Sequence, residues 1–491
     1  MKSSAFVSSK AHCTVKDGVT LPLCVDLDGT LIKTDLLWES FLVLLKRNPL
    51  SLFLVLFWFL KGRAYLKDAI ARRVTINPGR LPYQQPLIEL LNKEQRSGRP
   101  LILATAATAC LANKVAAHLG VFREVIASDH HNNLDGKRKL AALIDRFGEK
   151  GFSYAGNAPA DLDIWAHARD AIVVNARAGV LKQVRRIFPL CHHIEGTRLS
   201  VPLFLKAIRL HQWTKNVLVF VPLLTSHQVT SLPLVMRAWL AFLAFGLVAS
   251  SAYVLNDLMD LDSDRQDSKK RDRPFASGDL SPGLGLALIP ILLAAGLAAA
   301  LPFRAPFLYW LMLYFCLTVA YSFYLKRFIF IDVVTLAGLY ALRIEAGAAV
   351  IGVEISKWLL LFALFMFFSL ALVKRYSELR KVVISHHDQG VLAGRSYRAA
   401  DLQCISTLGM ASGLTAVLVV ALYVNGSNVM ELYRNPDLLW FICPLILYWI
   451  SRIWLMTVRG SIEEDPVVFA LRDAGSYLVG ALTAVIMLLA S

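Results

Sequence analysis

Apolar positions follow two different regimes along this chain. Before about residue 198 they come in short runs of strand length, Leu21–Val25, Pro100–Ala104 and Ala171–Val174, separated by polar and helix-like stretches such as Leu140–Phe147. That alternation predicts an α/β domain over 1–198. Beyond it the runs lengthen to about 216–229, 234–255, 283–302, 305–325, 330–350, 357–373, 405–424, 437–458 and 467–490. Each approaches the roughly 20 residues that a helix needs to cross a bilayer. The second domain, 199–491, is therefore expected to be an all-α membrane bundle of nine transmembrane helices.

Charge orients the bundle. Lys206, Arg209 and Lys215, the run Arg265–Arg273, Lys326-Arg327, Lys374-Arg375 with Arg380, Lys381, Arg395 and Arg398, and Arg459 fall on connections of one side. The other side receives isolated cases such as Arg304 and Arg434. By the positive-inside rule the first set is cytosolic, the N-terminal domain is cytosolic with it, and nine spans place Ser491 outside. The expected location is the inner (plasma) membrane.

Composition changes the picture only in what it excludes. The chain has 491 residues, 56% of them hydrophobic and 18% charged, too apolar for a soluble enzyme of that length. A net charge of +16 could suggest nucleic acid, but the basic residues lie beside apolar segments, as suits anionic headgroups. No nucleic-acid partner is expected. The seven cysteines are scattered without a C-x-x-C pair and imply neither a disulfide framework nor a zinc site. Met1–Thr20 lacks the apolar core and cleavage site of a secretory signal.

The first candidate chemistry follows the first strand. Asp26-Leu27-Asp28-Gly29-Thr30 places two carboxylates on alternate positions, hence on one side, at the carboxyl end of a buried strand. The string resembles the opening motif of the haloacid-dehalogenase superfamily, and the later motifs follow in order. Thr105 ends the second strand, Lys137 and Lys139 precede a helix, with Lys139 preferred by spacing, and Gly156-Asn157 is followed by Asp161 and Asp163. The resemblance implies a Rossmann-like sheet with a helical cap, Asp26 as nucleophile toward phosphate, and Asp28 as general acid/base. It further implies Thr105 and Lys139 on the phosphate, and Mg²⁺ held by Asp26 and Asp161. Asn157 stands where an aspartate is usual, which removes one charge from that metal site. A degenerate head that only binds phosphate is the competing reading.

Pro49–Leu60 is apolar, too short to span, and followed by Lys61-Gly62-Arg63. It reads equally as the core of the cap or as a helical patch lying on the inner leaflet.

In the second domain the informative stretch is Asn256-Asp257-Leu258-Met259-Asp260-Leu261-Asp262-Ser263-Asp264, directly before the basic Lys269–Arg273. If the preceding helix continues, Asp257, Asp260 and Asp264 share one stripe, and three crowded anions call for a divalent cation. A second acidic set, Glu463–Asp465 with Asp473 beside Arg472, comes from the other half of the bundle. Here Asp465 and Pro466 suit a helix start. Lys215-Asn216, Lys326, Lys374-Arg375-Tyr376 and Glu378 belong to the same face. Arg343, with Glu345 nearby, falls mid-span, where a charge usually serves a cavity. Lys326 or Lys374 taken alone would suit a lysine reaching for headgroups.

These stretches, with Gln212–Asn216, Asp272–Gly278, Leu342–Gly347, Lys374–Leu379 and Ala470–Asp473, resemble the UbiA superfamily of intramembrane prenyltransferases. Within it they are most similar to the decaprenyl-phosphate phosphoribosyltransferase branch. The resemblance implies Mg²⁺-dependent transfer of 5-phosphoribose from phosphoribosyl diphosphate to a polyprenyl phosphate at the inner leaflet. In that scheme Asp257, Asp260 and Asp264 hold metal, and Asp465 and Asp473 are candidates for a second metal cluster. Lys215, Asn216, Asn256, Lys326, Arg343, Lys374, Arg375, Tyr376, Glu378 and Arg472 contact substrate. The head would then remove the 5-phosphate. The alternative is prenyl transfer from a prenyl diphosphate to an aromatic acceptor, with a non-catalytic head.

Overall fold

The computed structural model describes residues 21–129, 133–303, 305–386, 395–426, 429, 433–462, 466–470 and 472–490. Met1–Thr20, Arg304, the Glu463–Asp465 cluster, Leu471 and Ser491 lie outside them. Two compact units emerge, one of residues 1–199 with 275–283, the other of 200–274 with 284–491.

The first unit is a six-stranded parallel sheet. Its strands are β1 (Leu23–Val25), β2 (Leu101–Thr108), β3 (Glu124–Ser128), β4 (Ser153–Gly156), β5 (Ala171–Val174) and β6 (His192–Ile194), in the order β3-β2-β1-β4-β5-β6. The helices are α1 (Leu36–Arg47), α2 (Ser51–Leu60), α3 (Arg63–Ala71), α4 (Gln85–Arg96), α5 (Ala109–Leu119), α6 (Gly136–Phe147), α7 (Leu162–His167) and α8 (Ala178–Ile187). Successive strand residues serve opposite faces. Leu23, Val25, Leu101 and Leu103 join one core, whereas Cys24, Ile102, Ala104 and Tyr154 join the other. Because β1 is central, the residues just past its end and past β2 and β4 meet at the carboxyl edge, where parallel sheets hold ligands. α1, α2 and α3 form an insertion between the first motif and β2. α1 starts at Asp35, whose carboxylate accepts the Leu37 N–H at 2.7 Å, and ends on Lys46 and Arg47, charges that suit its dipole.

The second unit is helical. It comprises α9 (Val201–Ala207), a 3₁₀ segment (Leu210–Phe220), α10 (Val221–Thr225), α11 (Leu232–Met259), α12 (Leu261–Gln266), α13 (Pro282–Ala300), α14 (Ala305–Phe323) and α15 (Ile331–Ile351), of which α13 begins in the first unit. It continues with α16 (Lys357–His386), α17 (Leu402–Val424), α18 (Ile442–Arg459), α19 (Pro466–Ala470) and α20 (Ala474–Ala490). Among the described residues seven helices are long and apolar enough to span a membrane, not the nine that hydropathy suggests. Both terminal runs are broken. The first, 216–229, divides between the 3₁₀ segment and α10, a five-residue helix with Pro222 in its first turn. The last is interrupted before Asp473, leaving α20 with 17 residues.

Two glycines let the 3₁₀ segment pack closely on the long helices. A Cβ at Gly246 of α11 would stand 2.7 Å from the Trp213 ring, and one at Gly347 of α15 would stand 2.2 Å from the Val219 carbonyl oxygen. Gly347→Ala is therefore expected to cost about 1–3 kcal/mol of stability through overpacking against backbone. Gly338→Ala on the same helix meets nothing within 4 Å and should be neutral or slightly stabilising. Thermal unfolding of the two variants in detergent measures the difference.

Candidate active sites in the two units

In the head, Asp26 follows β1 and receives Lys139 from α6. Nζ donates to Oδ1 at 2.7 Å, and the Thr30 hydroxyl donates to Oδ2 at 3.3 Å. Lys139, rather than the exposed Lys137, reaches this point because it falls on the buried face of α6. Its ammonium also lies 3.1 Å from the Tyr154 hydroxyl and 4.0 Å from Asp161. Burial works against the Lys139 charge, yet Asp26 and Asp161 outweigh it and hold the amine above its usual range. Thr105 is fully buried and, contrary to the expectation that it ends the second strand, lies within β2, where its hydroxyl accepts the Ala107 N–H at 3.0 Å at an irregularity in the pairing with β3 between Thr105 and Thr108.

Asp28 occupies a different setting. Its Oδ1 accepts the Leu36 N–H at 2.8 Å beside a small hollow lined by Asp35, Ser40, Lys67 and Thr108. Burial, and then the neighbouring Asp35 charge, push its carboxyl well above the usual carboxylate range. Burial raises the Asp26 carboxyl as well, against the pull of Lys139. The two acids differ in their neighbours, a lysine ammonium beside Asp26 and a second carboxyl, Asp35, beside Asp28.

Asp161 braces its own loop. Oδ1 accepts the Tyr154 hydroxyl at 2.8 Å, and Oδ2 accepts the N–H groups of Asn157 and Ala158 at 3.1 and 2.9 Å. The Asn157 amide lies over Gly29, whose φ of +75° and missing Cβ admit it. Asp163 is exposed in the first turn of α7. Lys139 Nζ stands between the two carboxylates, 2.7 Å from Asp26 and 4.0 Å from Asp161, so two buried acids from different loops share one cation here. Their oxygens are of the hard type that Mg²⁺ takes.

In the membrane unit the acidic stretch does not form one stripe. α11 ends at Met259, Asp260 is the joint, and α12 resumes at Leu261. Asp257 and Asp264 converge on Arg273, whose Nη1 stands 3.2 and 2.5 Å from them, and Arg209 also pairs with Asp257. Asp260 turns instead to Lys326, at 2.7 Å. Burial raises the Asp264 carboxyl to about 6 despite Arg273, with Asp257 adding to the rise. Two buried carboxylates sharing one positive nitrogen mark a place that suits a cation. Their hard oxygens fit Mg²⁺, which commonly takes one or two carboxylates plus substrate phosphates. Among the described residues no three His, Cys, Asp or Glu side chains form a ready-made cage.

Basic groups crowd round this point. The His211 imidazole is held below its usual range by burial and then by Arg209, Lys215, Arg273 and Arg472. Lys215, buried, lies 5.8 Å from the Tyr340 ring centroid. Beside it Asn216 accepts from Arg343 Nε at 3.0 Å, and Arg343 also donates to the Tyr314 hydroxyl at 3.0 Å within a box of Phe245, Tyr314 and Tyr340. Asn256 is half-buried on the last turn of α11.

Arg375 and Glu378 belong to another knot. Arg375 is fully buried, lies 2.7 Å from Asp332 and pairs with Glu378, which Arg395 also reaches at 2.7 Å. Tyr397 donates to Asp332 at 2.6 Å. Lys374 is half-buried next to this group, and Tyr376 turns away, edge-on to Trp454 at 6.2 Å.

Asp473 does not reach toward the first acidic stretch. Arg452 binds it through two bonds of 2.5 and 2.8 Å, and it accepts the Ser476 N–H at 2.7 Å, capping α20. The Arg452 hydrogen bond draws its carboxyl down to about 2. Arg472 is exposed, and Asp465 lies outside the described residues.

Arg209, Arg273, Asp332, Arg395 and Tyr154 were not singled out from the sequence for these roles. Arg273 alone left a signal, lying in the basic run directly after the aspartates.

Comparison with known proteins defines the class. Residues 217–472 match the UbiA prenyltransferase family, and residues 23–162 match haloacid dehalogenase-like hydrolases. The chain belongs to the UbiA prenyltransferase family and is a transferase that also carries a haloacid dehalogenase-like domain.

Particular relatives narrow the comparison. The protein y4nM of Sinorhizobium fredii is 37% identical, the match covering 94% of this chain and 90% of that one. Nodulation protein NoeC of Azorhizobium caulinodans is 34% identical over 56% of this chain and 88% of its own length. Decaprenyl-phosphate phosphoribosyltransferase of Mycobacterium tuberculosis is 28% identical, with 55% of this chain and 87% of that one covered.

Proposed function

We propose that the membrane unit transfers the 5-phosphoribosyl group of phosphoribosyl diphosphate to a polyprenyl phosphate, and that the head then hydrolyses the 5-phosphate of the lipid-linked product. The observation that carries the first part is the excess of cations around the acidic stretch. Arg209, Lys215, Arg273 and Arg472 all bear on His211, and Lys326 adds another beside Asp260. A donor with a diphosphate and a 5-phosphate, meeting an acceptor phosphate, needs that surplus more than a single prenyl diphosphate does.

In the transfer, the anomeric carbon–oxygen bond to diphosphate breaks, its electron pair leaving with the diphosphate, as a phosphate oxygen of the lipid bonds to that carbon. Asp257 and Asp264 would hold Mg²⁺, which when bound supplies positive charge to the leaving group. Arg209 and Arg273 fix those carboxylates and are placed to pass part of their hydrogen bonding to phosphate oxygens. Lys215 and Arg472 orient the remaining anionic groups, and Asn216 is held for the same purpose by Arg343. The basic connections put this face on the cytosolic side, where a water-soluble donor is available.

In the head, the Asp26 carboxylate attacks phosphorus and Asp28 delivers its proton to the departing sugar oxygen. Asp28 then takes a proton from the water that cleaves the aspartyl phosphate. Lys139 offsets the charge gathered on the phosphoryl oxygens.

Labelled phosphoribosyl diphosphate and polyprenyl phosphate, supplied with Mg²⁺ to proteoliposomes, should yield a labelled lipid. Labelling only from a prenyl diphosphate with a hydroxybenzoate acceptor would replace this reading. A pH dependence follows for the head. The folded pKa of Asp28 is raised, so the native acid keeps its proton at pH values where an ordinary aspartate has lost it, and loses it as pH rises through the raised value. Hydrolysis of an alkyl phosphate should therefore fall on the alkaline side. Asp28→Asn should lose that limb and spare an aryl phosphate, whose leaving group needs little protonation. Steady-state rates across pH on the two esters give the comparison.

A further inference from the structure

Helix α2 leaves an apolar surface that neither proposed reaction uses. Its inward stripe is Ser51, Val55 and Trp58, at the i, i+4, i+7 spacing of one helix face. Ser51 donates to the Asn48 carbonyl at 2.6 Å, and Trp58 is buried under the Arg73 guanidinium at 4.6 Å. Everything else on the helix is apolar and points away. Phe53 is 69% exposed, Phe59 58% and Leu60 83%, with Leu52, Leu54, Leu56 and Phe57 also exposed. No polar side chain interrupts that face, which is unusual for a surface in contact with water.

The fringe of the patch identifies what covers it. Arg47, Lys61 and Arg73 are exposed around it, and from Lys46 to Lys67 the sequence contains no Asp or Glu. Lys61 stands 4.8 Å from the Phe57 ring and 5.1 Å from that of Tyr65, its stem along the apolar surface and its charge at the rim. Two copies of this patch brought face to face would oppose cation to cation. An anionic leaflet offers acyl chains to the rings and phosphates to the rim. Ten residues reach only about 15 Å, half a hydrocarbon core, so the helix can lie in the interface but not cross it.

We propose that α2 is an in-plane membrane anchor of the head, its apolar face sunk among the acyl chains of an anionic leaflet and Arg47, Lys61 and Arg73 at the headgroups. The insertion that carries it also borders the hollow beside Asp28, since α1 supplies Leu36, Leu37 and Ser40 there and α3 supplies Lys67. Where the phosphatase reading of the head holds, on which this consequence rests, the anchor keeps the cleft at the surface that holds its lipid-linked substrate.

The test uses full-length protein in proteoliposomes, with an environment-sensitive fluorescent amino acid at position 53 or, as control, at the exposed Gln183. Lipids with brominated acyl chains should quench position 53 strongly and position 183 little, and Lys61→Glu with Arg47→Glu should weaken the quenching. Quenching at 53 no greater than at 183 overturns the anchor. So does a blue-shifted emission that bromine does not touch, which would mean that protein covers the patch.

A second readout separates the anchor from the phosphatase reading. Combining Phe53→Ser, Leu56→Ser and Phe57→Ser should lower turnover of a lipid-linked phosphate about tenfold through lost local concentration and leave a soluble aryl phosphate unchanged. Equal loss on both esters overturns the substrate consequence. Hydrolysis of neither ester by the unmodified protein refutes the phosphatase reading while the quenching result still decides the anchor.

Discussion

Asp257→Asn is expected to reduce phosphoribosyl transfer by roughly three orders of magnitude, the scale on which loss of a preorganised charge contact acts at a reacting centre. Asp257 is buried between Arg209 and Arg273, and Arg273 also serves Asp264. The substitution removes a carboxylate proposed to hold Mg²⁺ and leaves two guanidinium groups short of one counter-charge. Breaking such a buried pair costs about 3–5 kcal/mol, so some loss of stability is expected alongside the loss of rate. The double variant Arg209→Gln with Asp257→Asn separates the two effects. It restores the local balance of charge and should recover much of the thermal midpoint, whereas transfer stays lost. Recovery of transfer with the midpoint would mean that Asp257 acts only as a structural counter-ion. Initial rates with labelled donor, measured against Mg²⁺ concentration, together with melting curves, distinguish these outcomes.

The second large effect is predicted in the head. Asp26→Asn should leave the membrane reaction intact and make the 5-phosphorylated lipid accumulate, with hydrolysis reduced by roughly three orders of magnitude or more, as for loss of an attacking nucleophile. The amide oxygen still accepts from Lys139, but a buried ion pair is lost, so a lower thermal midpoint is expected beside the lost rate. The amide cannot attack phosphorus. Thin-layer analysis of the lipid products distinguishes a phosphorylated from a dephosphorylated ribosyl group, and unchanged conversion in the variant would remove the head from the reaction sequence.

Much of the head was legible because its chemistry follows local strand geometry. A buried strand ending just before Asp26 fixes where Asp28 must lie, and helical spacing turns Lys139 inward in place of Lys137, whereas Thr105, read as the end of its strand, lies within β2, which runs on to Thr108. Asp161 was legible as a position but not in its bonding, because Tyr154, which takes one of its oxygens, reads in sequence as one more apolar strand residue. In the bundle, hydropathy detected apolarity but not helix continuity. Val217–Phe220 is apolar enough to pass for the start of a span, although the path of the 3₁₀ segment it ends depends on Gly246 and Gly347, which are more than twenty and more than a hundred residues away. Long-range ion pairs were equally hidden. Asp473 resembles a site residue until Arg452, 21 residues earlier, takes its carboxylate. Asp332 and Arg375 find each other only when α15 and α16 pack.

The pinning of the 3₁₀ segment at both ends has a consequence for how the enzyme meets its substrates. Trp213 seats on Gly246 and the Val219 carbonyl on Gly347, so Lys215 and Asn216 ride on a rail bolted to two different helices. The backbone beneath the two residues cannot shift toward an arriving ligand unless both helices travel with it. The cationic rim is thus set when the chain folds, and the energetic cost of arranging it is met before any phosphate arrives.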